Sequence, residues 1–269
     1  MNVPPTVPPV WIPARFNGPP GSGNGGYSAG LFQAAAQPLL APVGPAATDQ
    51  SAEVGSVVGP VTVTLRLPPP LDTPLEVSHT PGSAGQGPGG APTSASNDVP
   101  VISVLDRTRL IATVTTARPE LLAEAVEPVG YGAALAVQPS FPGFARHPFP
   151  TCYVCGTDRP DGLRLFPGRL APDRTATAWR VPAAVSTTLV WAALDCPGGW
   201  TVPIEGRPYL LGRITARIDA VPKPDEHCVI TGRAVAVAGR KAEVLSTRYD
   251  ADGRLLALAR AVWIAPATS

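Results

Sequence analysis

Charge is scarce in this sequence: 15% of its 269 residues are Asp, Glu, Lys or Arg, and 21 basic side chains nearly cancel 20 acidic ones, leaving a net charge of +1. No overall field steers such a chain onto nucleic acid or an anionic lipid surface, which excludes a basic-groove nucleic-acid binder. No apolar run approaches the roughly 18 residues that a membrane-spanning helix needs. The opening Met1-Asn2-Val3-Pro4-Pro5 has neither a basic region nor an apolar core. A cytoplasmic protein without a membrane span is therefore expected. Cysteine is limited to Cys152, Cys155, Cys196 and Cys228, which without an export signal reads as thiols or metal ligands rather than a disulfide framework. Ser-His-Asp hydrolysis lacks its elbow, since no G-x-S-x-G is present.

Proline and glycine are plentiful, with 35 and 27 copies. They concentrate in the first half, above all in residues 80–98, a low-complexity stretch that cannot bury enough apolar surface to offset the entropy of ordering and reads as a disordered loop. Residues 38–60 mix Ala, Pro and Gly without a sustained period and read as a mobile connection. Between them, residues 61–67 (VTVTLRL) alternate apolar with polar side chains, as a half-buried strand does. Residues 99–105 and 109–116 form an expected hairpin turned by Asp106-Arg107-Thr108. The second half repeats this syntax in strands at 211–219, 228–237, 241–249 and 254–264, with Asp252-Gly253 as the clearest hairpin turn. The last strand has almost no polar face and should be buried on both sides. A short connecting helix is expected at 120–126.

The halves correspond. VTVTLRLPPPLDTPLEV from Val61 lies over ITARIDAVPKPDEHCVI from Ile214, with Asp72 matching Asp225 at an offset of 225 − 72 = 153. The following hairpins match as well. Upstream, Gly25-Gly26-Tyr27 matches Gly198-Gly199-Trp200, and the extra residues of the first copy fall in its two irregular stretches. Order and spacing predict a duplication: a helix opened by Gly-Gly, then four antiparallel strands, twice.

A helix opened by Gly-Gly and followed by a curved antiparallel sheet resembles the hotdog fold, and two copies in one chain resemble the double-hotdog acyl-CoA thioesterases. The segment Cys152-Tyr153-Val154-Cys155-Gly156, followed by Asp161-Gly162-Leu163-Arg164-Leu165, is similar to the lead into the first strand of some thioesterase-like hotdog proteins. The implied fold class is α+β: a tandem (double) hotdog, with two curved antiparallel sheets each wrapping a central helix and joined edge to edge. Residues 1–118 make the N-terminal copy, 119–150 a linker and 151–269 the C-terminal copy.

The resemblance implies acyl-CoA thioester hydrolysis with no cofactor. Such a reaction needs donors for a developing oxyanion and a group that activates water. Free backbone N–H groups at a helix N-terminus supply the donors, and Gly198 and Gly199 are the implied pair; close helix packing is their alternative. Asp195, beside Trp191, Ala192, Ala193 and Leu194, is the candidate general base or nucleophile, with a helix N-cap as its alternative. Many relatives carry the acid further along the helix, where this copy offers Glu205. Asn24 would assist from the other copy or cap its own helix, beside Gly25 and Gly26 as substrate contacts. Arg213 and Arg240 would meet coenzyme A phosphates, or stand solvated on the surface.

His79, His147 and His227 fall outside the motif of hotdog dehydratases, which disfavours that chemistry. Cys152 and Cys155 have knuckle spacing, and Cys196, Cys228 or His227 could complete a zinc site, but a second CxxC is missing; no metal is assigned. The expected partner is an acyl-CoA or related thioester, and double-hotdog chains often associate further into homo-oligomers. Two other readings stay open: a non-catalytic acyl-CoA or lipid-binding module, and a zinc-stabilised interaction domain.

Overall fold

The computed structural model describes residues 7–40, 58–80 and 100–267. The expected disordered loop, save Thr80, and most of the expected connection at 38–60 lie outside the described residues. In chain order the elements are α1 (Gly25–Ala36), β1 (Val58–Leu65), β2 (Glu76–Thr80), β3 (Val101–Asp106), β4 (Arg109–Thr116), α2 (Tyr131–Val137), β5 (Gly168–Ala171), β6 (Arg174–Arg180), α3 (Thr187–Gly199), β7 (Leu210–Ile218), β8 (His227–Ala238), β9 (Lys241–Asp250) and β10 (Leu255–Ile264).

The ten strands among the described residues belong to one antiparallel sheet, in the order β2-β3-β4-β1-β7-β10-β9-β8-β6-β5. The two expected sheets are joined edge to edge through direct pairing of β1 with β7, which makes them one continuous sheet. Read outward from that junction, β1-β4-β3-β2 and β7-β10-β9-β8 have the same connectivity. The matched aspartates bear this out locally. Asp72 and Asp225 both take positive φ, 49° and 64°, and each backbone N–H donates at 2.9 Å, to Ile12 O and Val181 O respectively.

The helices α1 and α3 lie against each other rather than each alone in its own sheet. Close approach is possible because α1 presents glycine. A Cβ at Gly26 would come within 2.5 Å of Asp195 Cβ and 2.6 Å of Trp191 O, and one at Gly30 within 2.9 Å of Thr188 Cα. Gly26 thus meets the far end of α3 and Gly30 its start, so the helices run antiparallel. The N-terminus of α1 is brought against the second half of α3.

Residues 119–137 cover the sheet's opposite face. The expected helix at 120–126 is instead a 3-10 turn at Pro119–Leu122 that packs on β7 and β10. Val126 N–H then donates to Thr247 Oγ1 at 2.9 Å, and α2 lies on β5, β6 and β8. This cover explains why β10 is apolar on both faces, with Leu256, Ala257, Leu258 and Ala259 all buried.

Candidate active site

The helix α3 begins after Ser186, whose side chain accepts from Leu189 N–H, and ends at Gly199. Gly198 and Gly199 therefore close this helix rather than open it, and their N–H groups belong to its hydrogen-bond ladder. They are packing residues: a Cβ at Gly198 would lie 2.4 Å from Ser246 Oγ, and one at Gly199 2.4 Å from the Trp263 ring. Their expected oxyanion role is corrected accordingly. The same shift places Asp195 inside the helix. Asp195 lies well along α3 and caps nothing in it, while Glu205 lies beyond the helix and pairs with Arg169 at 3.1 Å.

Asp195 instead reaches across to α1. Its Oδ2 accepts from Gly26 N–H at 2.8 Å and from Asn24 Nδ2 at 3.3 Å. Asn24 is the α1 N-cap, its Oδ1 accepting from Tyr27 N–H at 2.8 Å, so one amide fixes both the helix start and the carboxylate. The second oxygen, Asp195 Oδ1, is buried without a partner among the described residues, and Gly25 N–H at the positive end of α1 is also unpartnered there. Burial pushes the Asp195 carboxyl up to about 7, against the lowering effect of the Gly26 N–H and with a raising contribution from Cys152.

Cysteines crowd the same place. Cys152, Cys155 and Cys196 are buried, with their sulfurs all within 4.8 Å of one another. Cys152 and Cys155 sit on a tight turn in which Gly156 N–H donates to Cys152 O at 2.8 Å. Only glycine closes it, because a Cβ there would meet the carbonyl oxygens of Cys152 and Pro150 at 2.5 Å. Hydrogen bonds from Cys155 and Cys196 hold the Cys152 thiol well below its ordinary range, while Cys196 is pushed up, first by its bond to Cys152. Burial does the same to Cys155. Cys228 stands elsewhere, beside Arg248.

These groups line a cavity of about 440 Å³ at the mouth between α1 and the ends of β1, β7 and β10. Its walls include Leu67, Trp200, Ile204, Leu211 and Trp263, together with Gly25, Asn24, Asp195 and the three cysteines. Gly25 must be glycine because Leu211 Cβ would stand 2.7 Å from any Cβ there. Arg213 and Arg240 do not line the cavity. Arg213 donates to Thr64 on the exposed sheet face, and Arg240 reaches Ala265 O. The basic side chain at the wall is Arg66, which the sequence reading missed although it lies in the alternating strand it used. His147 also lines the wall; its Nδ1 accepts from Phe149 N–H at 2.9 Å, and its Nε2 lies 3.1 Å from Cys155 O.

No family model and no curated protein matches the sequence. Solved structures do. The chain is similar to a protein of unknown function with a hotdog fold from Alicyclobacillus acidocaldarius, at 14% identity over 97% of this chain and 93% of that one, with a TM-score of 0.58. It is similar to the tesB protein of Mycobacterium avium subspecies paratuberculosis, at 12% identity over 96% and 91%, TM-score 0.54. A third similar structure is the acyl-CoA thioesterase II TesB2 of Mycobacterium marinum, at 12% identity over 91% and 90%, TM-score 0.51. These likenesses establish that the chain has the hotdog fold. No helix among the described residues is long and apolar enough to cross a membrane.

Proposed function

We propose that this chain is a double hotdog, with copies spanning residues 1–118 and 151–269 joined by 119–150, and that it hydrolyses acyl thioesters of the acyl-CoA type. The observation that carries the reading is Asp195: one carboxylate oxygen is tied to the N-terminus of α1, the other is buried without a partner among the described residues, and the residue lines an apolar cavity. Two of the similar hotdog structures bear thioesterase names, which supports the substrate class.

In this mechanism the thioester carbonyl oxygen takes the N–H of Gly25, where the helix dipole stabilises the developing oxyanion. Asp195 Oδ1 accepts a proton from a water as that water attacks the carbonyl carbon. The tetrahedral intermediate then collapses, the C–S bond breaks, and the leaving thiolate takes the proton that Asp195 Oδ1 accepted, which restores the carboxylate. Asn24 and Gly26 hold the carboxylate in place. The acyl chain lies along Leu211 and Trp263, and Arg66 faces the polar carrier at the rim.

Catalysis belongs to one helix pairing in this reading. Counting from the N-caps Asn24 and Ser186, Gln33 stands in α1 where Asp195 stands in α3, and it bonds Gln37 within its own helix. The first copy therefore supplies the helix N-terminus and the second supplies the acid. Thiol release from short, medium and long acyl-CoA esters tests the function. Turnover of at least one ester is expected; tight retention of acyl-CoA with no release would instead make the chain a binding module.

A further inference from the structure

Hydrolysis as drawn above leaves three buried thiols unused, and they converge. Cys152 and Cys155 come from the knuckle at the start of the second copy and Cys196 from α3, yet their sulfurs lie within 4.8 Å of one another. A single buried cysteine packs as a small apolar side chain; here three from two separate segments meet sulfur to sulfur.

The surroundings are arranged for sulfur that carries negative charge. Asn24 Nδ2 donates to Cys152 Sγ at 3.8 Å. Trp200 Nε1 donates to Cys155 Sγ at 3.4 Å. Donors aimed at sulfur from outside the cluster are the outer-shell pattern of metal thiolates, fixing the ligands and tuning their charge. In a tetrahedral zinc site with Zn–S bonds of about 2.3 Å the sulfur edges are about 3.8 Å, so shifts of about an ångström gather these three onto one ion. His147 is not a fourth ligand, since Nδ1 is engaged by Phe149 N–H and Nε2 faces Cys155 O. All three cysteines line the cavity beside Asp195.

We propose that Cys152, Cys155 and Cys196 bind a divalent cation of borderline softness, zinc above all, with the fourth coordination position open to the cavity. The proposal does not rest on the hydrolysis reading, because metal is read without substrate. It places the ion next to the chain's buried carboxylate, at the joint where the knuckle, the start of α1 and the end of α3 meet.

Metal content and cobalt spectroscopy on the full chain test it. Protein purified under reducing conditions should carry about one zinc per chain. Metal-free protein titrated with Co²⁺ should develop sulfur-to-cobalt charge-transfer absorption and tetrahedral d–d bands, saturating at one equivalent. Cys228→Ser should keep both signals, while Cys152→Ser and Cys196→Ser should lose them. A small added thiol should shift the d–d bands by entering the open position.

Wild-type protein that binds neither zinc nor Co²⁺ would overturn the proposal, and that result needs no variant to fold. Metal retained at full stoichiometry in folded Cys152→Ser and Cys196→Ser would overturn it too, by locating the ion elsewhere. Cobalt bands insensitive to added thiol would overturn the open position.

Discussion

Thr62 and Thr215, 153 residues apart, face each other at the centre of the sheet with their hydroxyl oxygens 2.8 Å apart. They are register partners of β1 and β7, and they are also the matched residues of the two sequence halves. A residue that pairs with its own counterpart marks the axis relating the halves. Antiparallel pairing about that point places Val63 against Ile214 and Val61 against Ala216, as a twofold requires.

That pair predicts a coupling. Thr215 is buried, so Thr62→Val leaves its hydroxyl without the sheet partner and should cost about 1 kcal/mol. Thr62→Val with Thr215→Val should cost less than the sum of the singles. Urea unfolding of the four proteins in a double-mutant cycle checks this.

Glycines at two helix ends should separate cleanly. Gly26→Ala drives a methyl into Asp195 Cβ and Trp191 O, so it should lower stability by about 1–3 kcal/mol and reduce thioester turnover at least tenfold. Gly198→Ala meets Ser246 and Val244, and should cost similar stability while the folded fraction turns over normally. Thermal melts with parallel steady-state assays distinguish them.

Basic residues divide in the same way. Arg66 lines the cavity, whereas Arg213 and Arg240 do not. Arg66→Ala should raise KM for acyl-CoA esters several-fold with kcat little changed, the pattern of lost ground-state binding. Arg213→Ala and Arg240→Ala should match wild type in both constants.

Much of the sheet is legible in the sequence. Alternation places the strand at 61–67, and Asp252-Gly253 turns the last hairpin with Gly253 at φ 84°. Matching Asp72 to Asp225 found two backbones in the same left-handed conformation. The strand at 174–180 escaped because Thr and Ala dominate it and its alternation is faint, and the one at 168–171 because its four residues, GRLA, are too few to show a period. The helix α3 was misplaced for a different reason. It is apolar almost all round, with every residue from Leu189 to Gly199 buried, so no polar stripe marks its start. Pro197 then mimicked a first-turn proline.

The site inherited both outcomes. Asp195 and Asn24 were legible as a carboxylate and an amide beside glycine pairs, and the structure brings them within 3.3 Å. The donor glycines were assigned to the wrong helix end. Ser186-Thr187-Thr188, a run of capping residues before the apolar stretch, is the signal that fixes the start of α3, and the helix N-terminus facing Asp195 is then that of α1, whose Gly26 N–H bonds the carboxylate. The three-cysteine cluster depended on that placement, because Cys196 reaches Cys152 and Cys155 only from within α3.

Steady-state thiol release by Asp195→Asn, compared with wild type on the same acyl-CoA ester, bears most directly on the proposed chemistry. The amide oxygen can still accept from Gly26 N–H, so the helix contact survives while the base is lost. The mechanism predicts a fall in kcat of about 10²–10⁴, with KM nearly unchanged and a native melting transition. Wild-type kcat in that variant would contradict the assignment of Asp195 as the group that activates water.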